Sequence, residues 1–270
     1  MSGGEALNTY IESRRDALPD VAAVLPTPFE WVFVPGGQVT LDHRGGYLAQ
    51  NTTFDVAPFV IGKYPVTAAQ YQAFVDAPDG YRDPIWWVYS SAAYEWRAEN
   101  ENPVRPPYGG GDHPRTHITW YEAVAFCRWL TEAVRIRSGA FLSISLPTEQ
   151  QWQRAAQGDD GRIFAWGNAW DASRCKNNLE KNSIGPAPVT EYAGKGDSPF
   201  GAVDMTGNVW EWCLTSWGTG ANDPRGDDVR VLRGGSWFDD VMSFFGVMTR
   251  SSWSPDIRSD MRGFRLVCPL

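Results

Sequence analysis

The chain has 270 residues, 43% of them hydrophobic and 21% charged, with 27 glycines and 19 prolines. That is enough to bury a full core, and it excludes a disordered or collagen-like chain. The charge balance is −8 with only four lysines, which disfavours nucleic acid as a partner, and no apolar run approaches the ~20 residues of a membrane-spanning helix.

Glu5 to Leu18 reads as a short polar helix, and its charges argue against a signal peptide, so a cytoplasmic protein is expected. Pro19, Pro26 and Pro28 then begin an extended lead-in. Trp31–Val34 followed by Pro35-Gly36-Gly37 predicts a strand and a turn, and Phe54 to Gly62 predicts another strand. Thr67…Gln70, Thr119…Glu122 and Thr148…Gln151 each have the spacing of a capping box. They predict helices running through Phe74, Arg135 and Gln157. In the second of these, Val124, Phe126, Cys127, Leu130 and Val134 recur at helical spacing and mark a buried stripe. After Gly158 the chain alternates short stretches with Gly, Pro, Asn and Asp, which predicts a loop-rich half. Buried tryptophans whose N–H groups meet backbone carbonyls are the expected supports there: Trp152, Trp166, Trp210, Trp212 and Trp237.

The four cysteines, Cys127, Cys175, Cys213 and Cys268, form no CxxC pair, and without a signal peptide they read as reduced thiols. Cys127 reads as a core residue because no histidine is placed to activate it. His113 and His117 are four apart, but Pro114 between them breaks any helix that would present both to a metal. With 14 tryptophans, 13 phenylalanines and 10 tyrosines, the rings must fill a core poor in long elements or form a recognition surface.

Seven motifs occur in order: Pro65-Val66-Thr67, Thr119-Trp120, Leu146-Pro147-Thr148-Glu149, Trp166-Gly167-Asn168, Asp204 to Trp212, Arg230 to Trp237 and Gly263 to Val267. Together they resemble the formylglycine-generating enzyme (sulfatase-modifying factor) family. The resemblance implies an α+β, C-type lectin-like fold, loop-rich with few short helices and strands. It divides the chain into a helical extension, 1–30, and one domain, 31–270.

Family membership alone does not fix function. The catalytic members use two cysteines after the Gly-Gly-Ser-aromatic motif to bind copper; Asp239 and Phe244 stand at those positions, and neither is a thiolate. The sulfoxide synthases of ergothioneine biosynthesis take iron through three histidines, partly on a further helical domain that a chain of this length does not accommodate. In several members the Gly207-Asn208-Val209-Trp210-Glu211 motif carries calcium. By resemblance Gly207, Val209 and Glu211 are candidate ligands, with Asn178 for a second site. The other reading is that Asn208 and Glu211 only tie loops together. No other cofactor is required.

Phe238 to Arg262 lies between two framing motifs and mixes aromatics with small polar residues, as adaptable binding surfaces do. This arrangement is similar to the variable proteins of diversity-generating retroelements, whose variable region is bounded in the same way. Their adenine-directed mutagenesis cannot produce Trp, Met, Lys, Gln or Glu from Asn codons. From Val231 onward there is no Lys, Glu, Gln or Asn, where whole-chain usage gives roughly five. The resemblance implies a non-catalytic ligand-binding protein with a retroelement-diversified surface and a protein or peptide partner. Phe238, Asp240, Ser243, Phe244, Phe245, Gly246, Ser251, Ser252, Ser254, Ile257 and Ser259 are the expected ligand-facing residues. The alternative is a metal-dependent oxidase, or a sulfoxide-synthase-like or other catalytic member.

Overall fold

The computed structural model describes residues 18–139 and 143–270. Among the described residues four α-helices form: α1 (Ala68–Asp76), α2 (Ser91–Glu99), α3 (Trp120–Ser138) and α4 (Glu149–Gln157). The capping boxes at Thr67, Thr119 and Thr148 are all closed, each hydroxyl accepting from the N3 amide while the N3 side chain reaches back. Helix α2 was not anticipated. Its cap, Ser90, accepts from the Ala93 amide at 3.4 Å, but Ala93 cannot reciprocate as Gln or Glu would. The helix expected over Glu5–Leu18 lies, except for Leu18, outside the described residues.

Nine strands of the described residues form three sheets. The first contains β1 (Trp31–Val34), β4 (Phe59–Gly62) and β9 (Val267–Pro269), in the order β1-β4-β9. The second pairs β2 (Gly37–Leu41) with β3 (Thr52–Val56). The third, ordered β7-β6-β5-β8, holds β5 (Trp210–Ser216), β6 (Arg230–Arg233), β7 (Arg250–Trp253) and β8 (Arg262–Gly263). The single strand expected over Phe54–Gly62 is therefore two strands in different sheets. Pro58 lies at the break, where it has no N–H to give a ladder.

Most of the aromatic surplus is structural. One core gathers Tyr71, Phe74, Trp87, Phe126, Trp129, Trp212 and Phe264 around α3, with Phe126 5.6 Å from Tyr71 and 5.5 Å from Phe264 between ring centroids. A second packs Phe59, Ile61, Trp152, Met205 and Cys213 around α4. Strand β5 separates them by its pleat: Trp210 and Trp212 face the first core and Cys213 the second. Val21 and Leu25 are buried in the first core, so the lead-in from residue 18 is built into the same body.

The tryptophan N–H groups follow the expected pattern with exceptions. Trp212 donates to the Ile118 carbonyl at 3.3 Å, Trp237 to Asp260 at 3.0 Å and Trp166 to Ala169 at 2.9 Å. Trp152 instead donates to the Glu211 carboxylate at 2.7 Å, and the Trp210 side chain turns to the Asp239 carboxylate rather than to a carbonyl.

Candidate functional site

The site begins where β6 ends. The buried Arg233 donates to the carbonyls of Val247 at 2.8 Å and Met248 at 3.2 Å, holding the returning chain against the strand. Gly235 lies at φ +77°, and a Cβ there would stand 2.9 Å from the Phe244 carbonyl oxygen, so the turn can seat on the motif only over glycine. Ser236 donates its amide and hydroxyl to Asp239 Oδ2 at 2.7 and 2.8 Å. Burial raises the Asp239 carboxyl above its ordinary range, and these hydrogen bonds oppose the rise.

From there two buried ion pairs pin the segment. Arg250 donates to both Glu149 oxygens at 2.6 and 3.0 Å, and Arg258 to both Glu122 oxygens at 3.0 and 2.9 Å. Between and before these anchors the chain surfaces. Phe238, Asp240, Ser243, Phe244 and Ile257 are exposed, and Gly246, Ser251, Ser252, Ser254 and Ser259 are half-buried. Phe245 corrects the expectation. The 3-10 turn Met242–Phe245 leaves Phe244 41% exposed and Phe245 at 0%, where its ring meets Trp170 at 5.2 Å between centroids. Several polar members of the set are occupied locally. Ser254 shares a short hydrogen bond with Asp256, and Asp240 lies 3.7 Å from Lys181.

The expected set leaves out Val241 and Met242, and also Trp253 although it is one of the segment's aromatics, and all three are exposed. It also leaves out a neighbouring wall. Ile163, Phe164 and Trp170 line a mainly apolar cleft of about 510 Å³ together with Met242, Met248 and Arg44.

Comparison with known proteins places this geometry. The sulfatase-modifying factor enzyme 1-like domain profile matches residues 18–270. The chain belongs to the sulfatase-modifying factor enzyme 1-like family. It is 34% identical over 249 residues to the hercynine oxygenase of Mycolicibacterium smegmatis, covering 76% of this chain and 54% of that one. It is 28% identical over 279 residues to the inactive C-alpha-formylglycine-generating enzyme 2 of Mus musculus, covering 87% and 84%. The chain thus spans about half the length of the hercynine oxygenases it matches, 45% and 54% for two of them. Among solved structures, Treponema denticola variable protein 1 superposes with a TM-score of 0.64 at 22% identity, over 92% of this chain and 97% of that one. That likeness establishes the fold.

Within this sulfatase-modifying factor-like fold, the calcium residues do not fit a hard cation. Glu211 is fully buried with both oxygens on Arg265, each at 2.6 Å, and Oε2 also accepts from Trp152. The positive charge in that place is the guanidinium. The Gly207 carbonyl accepts from the Val209 amide at 3.0 Å. Asn178 Oδ1 accepts from the Ser183 amide at 3.0 Å, and its amide donates to the Asp239 carbonyl, tying two loops together.

All four cysteines are free and buried, and burial raises every one of their thiol pKa values, those of Cys175 and Cys268 to about 12. None of them is an activated nucleophile or a ready thiolate ligand. Among the described residues no cluster of three or more His, Cys, Asp or Glu side chains is placed to hold a metal ion. Nor is any helix of the described residues long and apolar enough to cross a membrane. With Asp239 and Phe244 in place of the cysteine pair, incubation with a Cys-containing sulfatase peptide, copper and oxygen is expected to leave the peptide thiol intact. Appearance of an aldehyde on the peptide overturns this.

Proposed function

We propose that the chain is a non-catalytic ligand-binding protein whose ligand, a protein or peptide, seats on the segment 238–262. The carrying observation is the exposure of Phe238, Val241, Met242, Phe244, Trp253 and Ile257 on a stretch fixed from beneath by Phe245, Arg250 and Arg258. Apolar side chains gathered at the surface mark an interaction site, whereas scattered ones do not. Anchors below and rings above let the exposed positions differ between proteins without unfolding the domain, which supports the retroelement-diversified reading. The finer claim is testable beside the gene: a reverse transcriptase and an adenine-rich near-copy of the 3′ end are expected.

Binding is tested with peptides selected from a displayed random library against the parent chain. Phe244→Ser is expected to abolish capture while changing stability by about 1 kcal/mol or less, as exposed sites do. Phe245→Ser is expected to lower stability by about 3–5 kcal/mol, because a buried ring is removed. Undiminished capture by a folded Phe244→Ser chain overturns the surface assignment.

The 34% identity to hercynine oxygenases supports a second reading, in which this chain corresponds to part of an oxygenase. Oxygen consumption in the presence of iron(II) and hercynine would establish it.

A further inference from the structure

Among the described residues, one guanidinium in the sheet below this surface has neither a paired carboxylate nor a hydrogen-bonded carbonyl. Arg262 is 6% exposed, and its Nη1 is fully buried with no partner. None of its side-chain nitrogens reaches an acceptor among the described residues. Arg233, Arg250, Arg258 and Arg265 each hold a carboxylate, and Arg230 donates to the carbonyls of Leu214, Asp223 and Gly226. Arg262 is instead held by rings. Its guanidinium carbon lies 4.1 Å from the Trp253 ring centroid and 6.0 Å from that of Trp212. Burial pulls its pKa down to about 10, with Asp260 opposing the fall. A guanidinium remains charged at that value, and an unpaired buried charge is strongly unfavourable.

The position connects this charge to the ligand surface. Arg262 pairs in register with Trp210, whose ring meets Phe244 at 6.3 Å between centroids. Its cover, Trp253, is 47% exposed and belongs to the segment. The guanidinium therefore lies beside the exposed rings with its hydrogen-bonding capacity unspent.

We propose that Arg262, roofed by Trp253, is the anion-recognition point of this surface and takes the carboxylate of an Asp or Glu side chain on a polypeptide partner. The proposal rests on the ligand-binding reading and deepens it. A planar carboxylate matches the guanidinium fork with two parallel hydrogen bonds. Asp260 is the carboxylate that acts on Arg262, so a single negative charge is tolerated there where a phosphate dianion or a polyanion is repelled. Exposed Phe244 and Met242 suit the apolar neighbours of that acidic residue in a peptide.

The test uses the full chain with acetate as the probe, against chloride and inorganic phosphate at constant ionic strength. The Arg262 Nε–Hε resonance, assigned by its absence in R262M, is expected to shift saturably with acetate and to stay put with chloride. R262M is expected to melt above the parent in acetate-free buffer, because the unpaired charge is gone, and to lose all acetate dependence of Tm. If R262M does not fold, R262K keeps the charge without the planar fork and is expected to weaken the acetate response several-fold. A resonance unmoved by acetate, a tighter response to phosphate, or a D260N substitution that moves it as ion-pair loss would overturns the assignment. An acetate response in a chain that captures no peptide leaves the anion site standing and removes the wider binding reading. Peptide capture sensitive to Phe244→Ser but not to R262M does the reverse.

Discussion

Arg265→Met is expected to lower stability by about 3–5 kcal/mol, which is much of the 5–15 kcal/mol that holds an ordinary domain together. Arg265 and Glu211 are both fully buried and share two hydrogen bonds of 2.6 Å. The same guanidinium donates to the carbonyls of Gly62 at 3.0 Å, Lys63 at 3.3 Å and Val203 at 2.8 Å. It thus ties the end of β4 and the 203 loop to β5. A methionine fills much of the volume but leaves Glu211 charged in the interior and three carbonyls without this donor. Glu211→Gln is expected to weaken the fold in the same direction, and the double variant by less than the sum of the two, since the second change removes the group that the first one stranded. Urea denaturation of all four chains measures the coupling. An Arg265→Met midpoint equal to the parent's counts against the assignment.

The features legible in the sequence were those written locally. A capping box occupies four residues, so Thr67, Thr119 and Thr148 announced their helices. Ser90 did not, because its third neighbour is alanine and only half of the motif is present. Pro58 carried a readable warning that the strand from Phe54 must break. The framing motifs bound a segment that reaches the surface in part, yet its inward and outward residues were not readable. Phe244 and Phe245 are adjacent rings in a 3-10 turn of four residues, too short for any periodicity to separate them. The anchors were hidden for a different reason. Arg250 and Arg258 meet Glu149 and Glu122 across 101 and 136 residues of sequence, and only the folded chain brings them together. The missing partner of Arg262 leaves no trace in the sequence at all.

Asp204→Asn is expected to stabilise the protein at pH 8 and to change it little at pH 5. Asp204 is 4% exposed, its Oδ2 accepts from Asn208 Nδ2 at 2.7 Å, and its Oδ1 has no partner. Burial lifts its pKa to about 7, helped by the charges of Glu211 and Asp197 and opposed by Asn208 and Arg265. The folded value stands above the unfolded one of about 4, so the folded state holds the proton more tightly. Its contribution to stability is therefore complete below about pH 4 and is lost as pH rises through 7. Roughly three pKa units correspond to about 4 kcal/mol between those limits, read as an order of magnitude. Asparagine does not titrate, keeps an acceptor for Asn208, and tolerates the left-handed backbone at this position, φ +57°. Melting both chains from pH 5 to 8 isolates the effect, because every other titrating group is common to the two. The gap in Tm is expected to open as pH rises, in favour of Asp204→Asn. A constant gap across that range would mean that Asp204 is already ionised at pH 5 and that an additional donor, absent from its present hydrogen bonds, satisfies Oδ1.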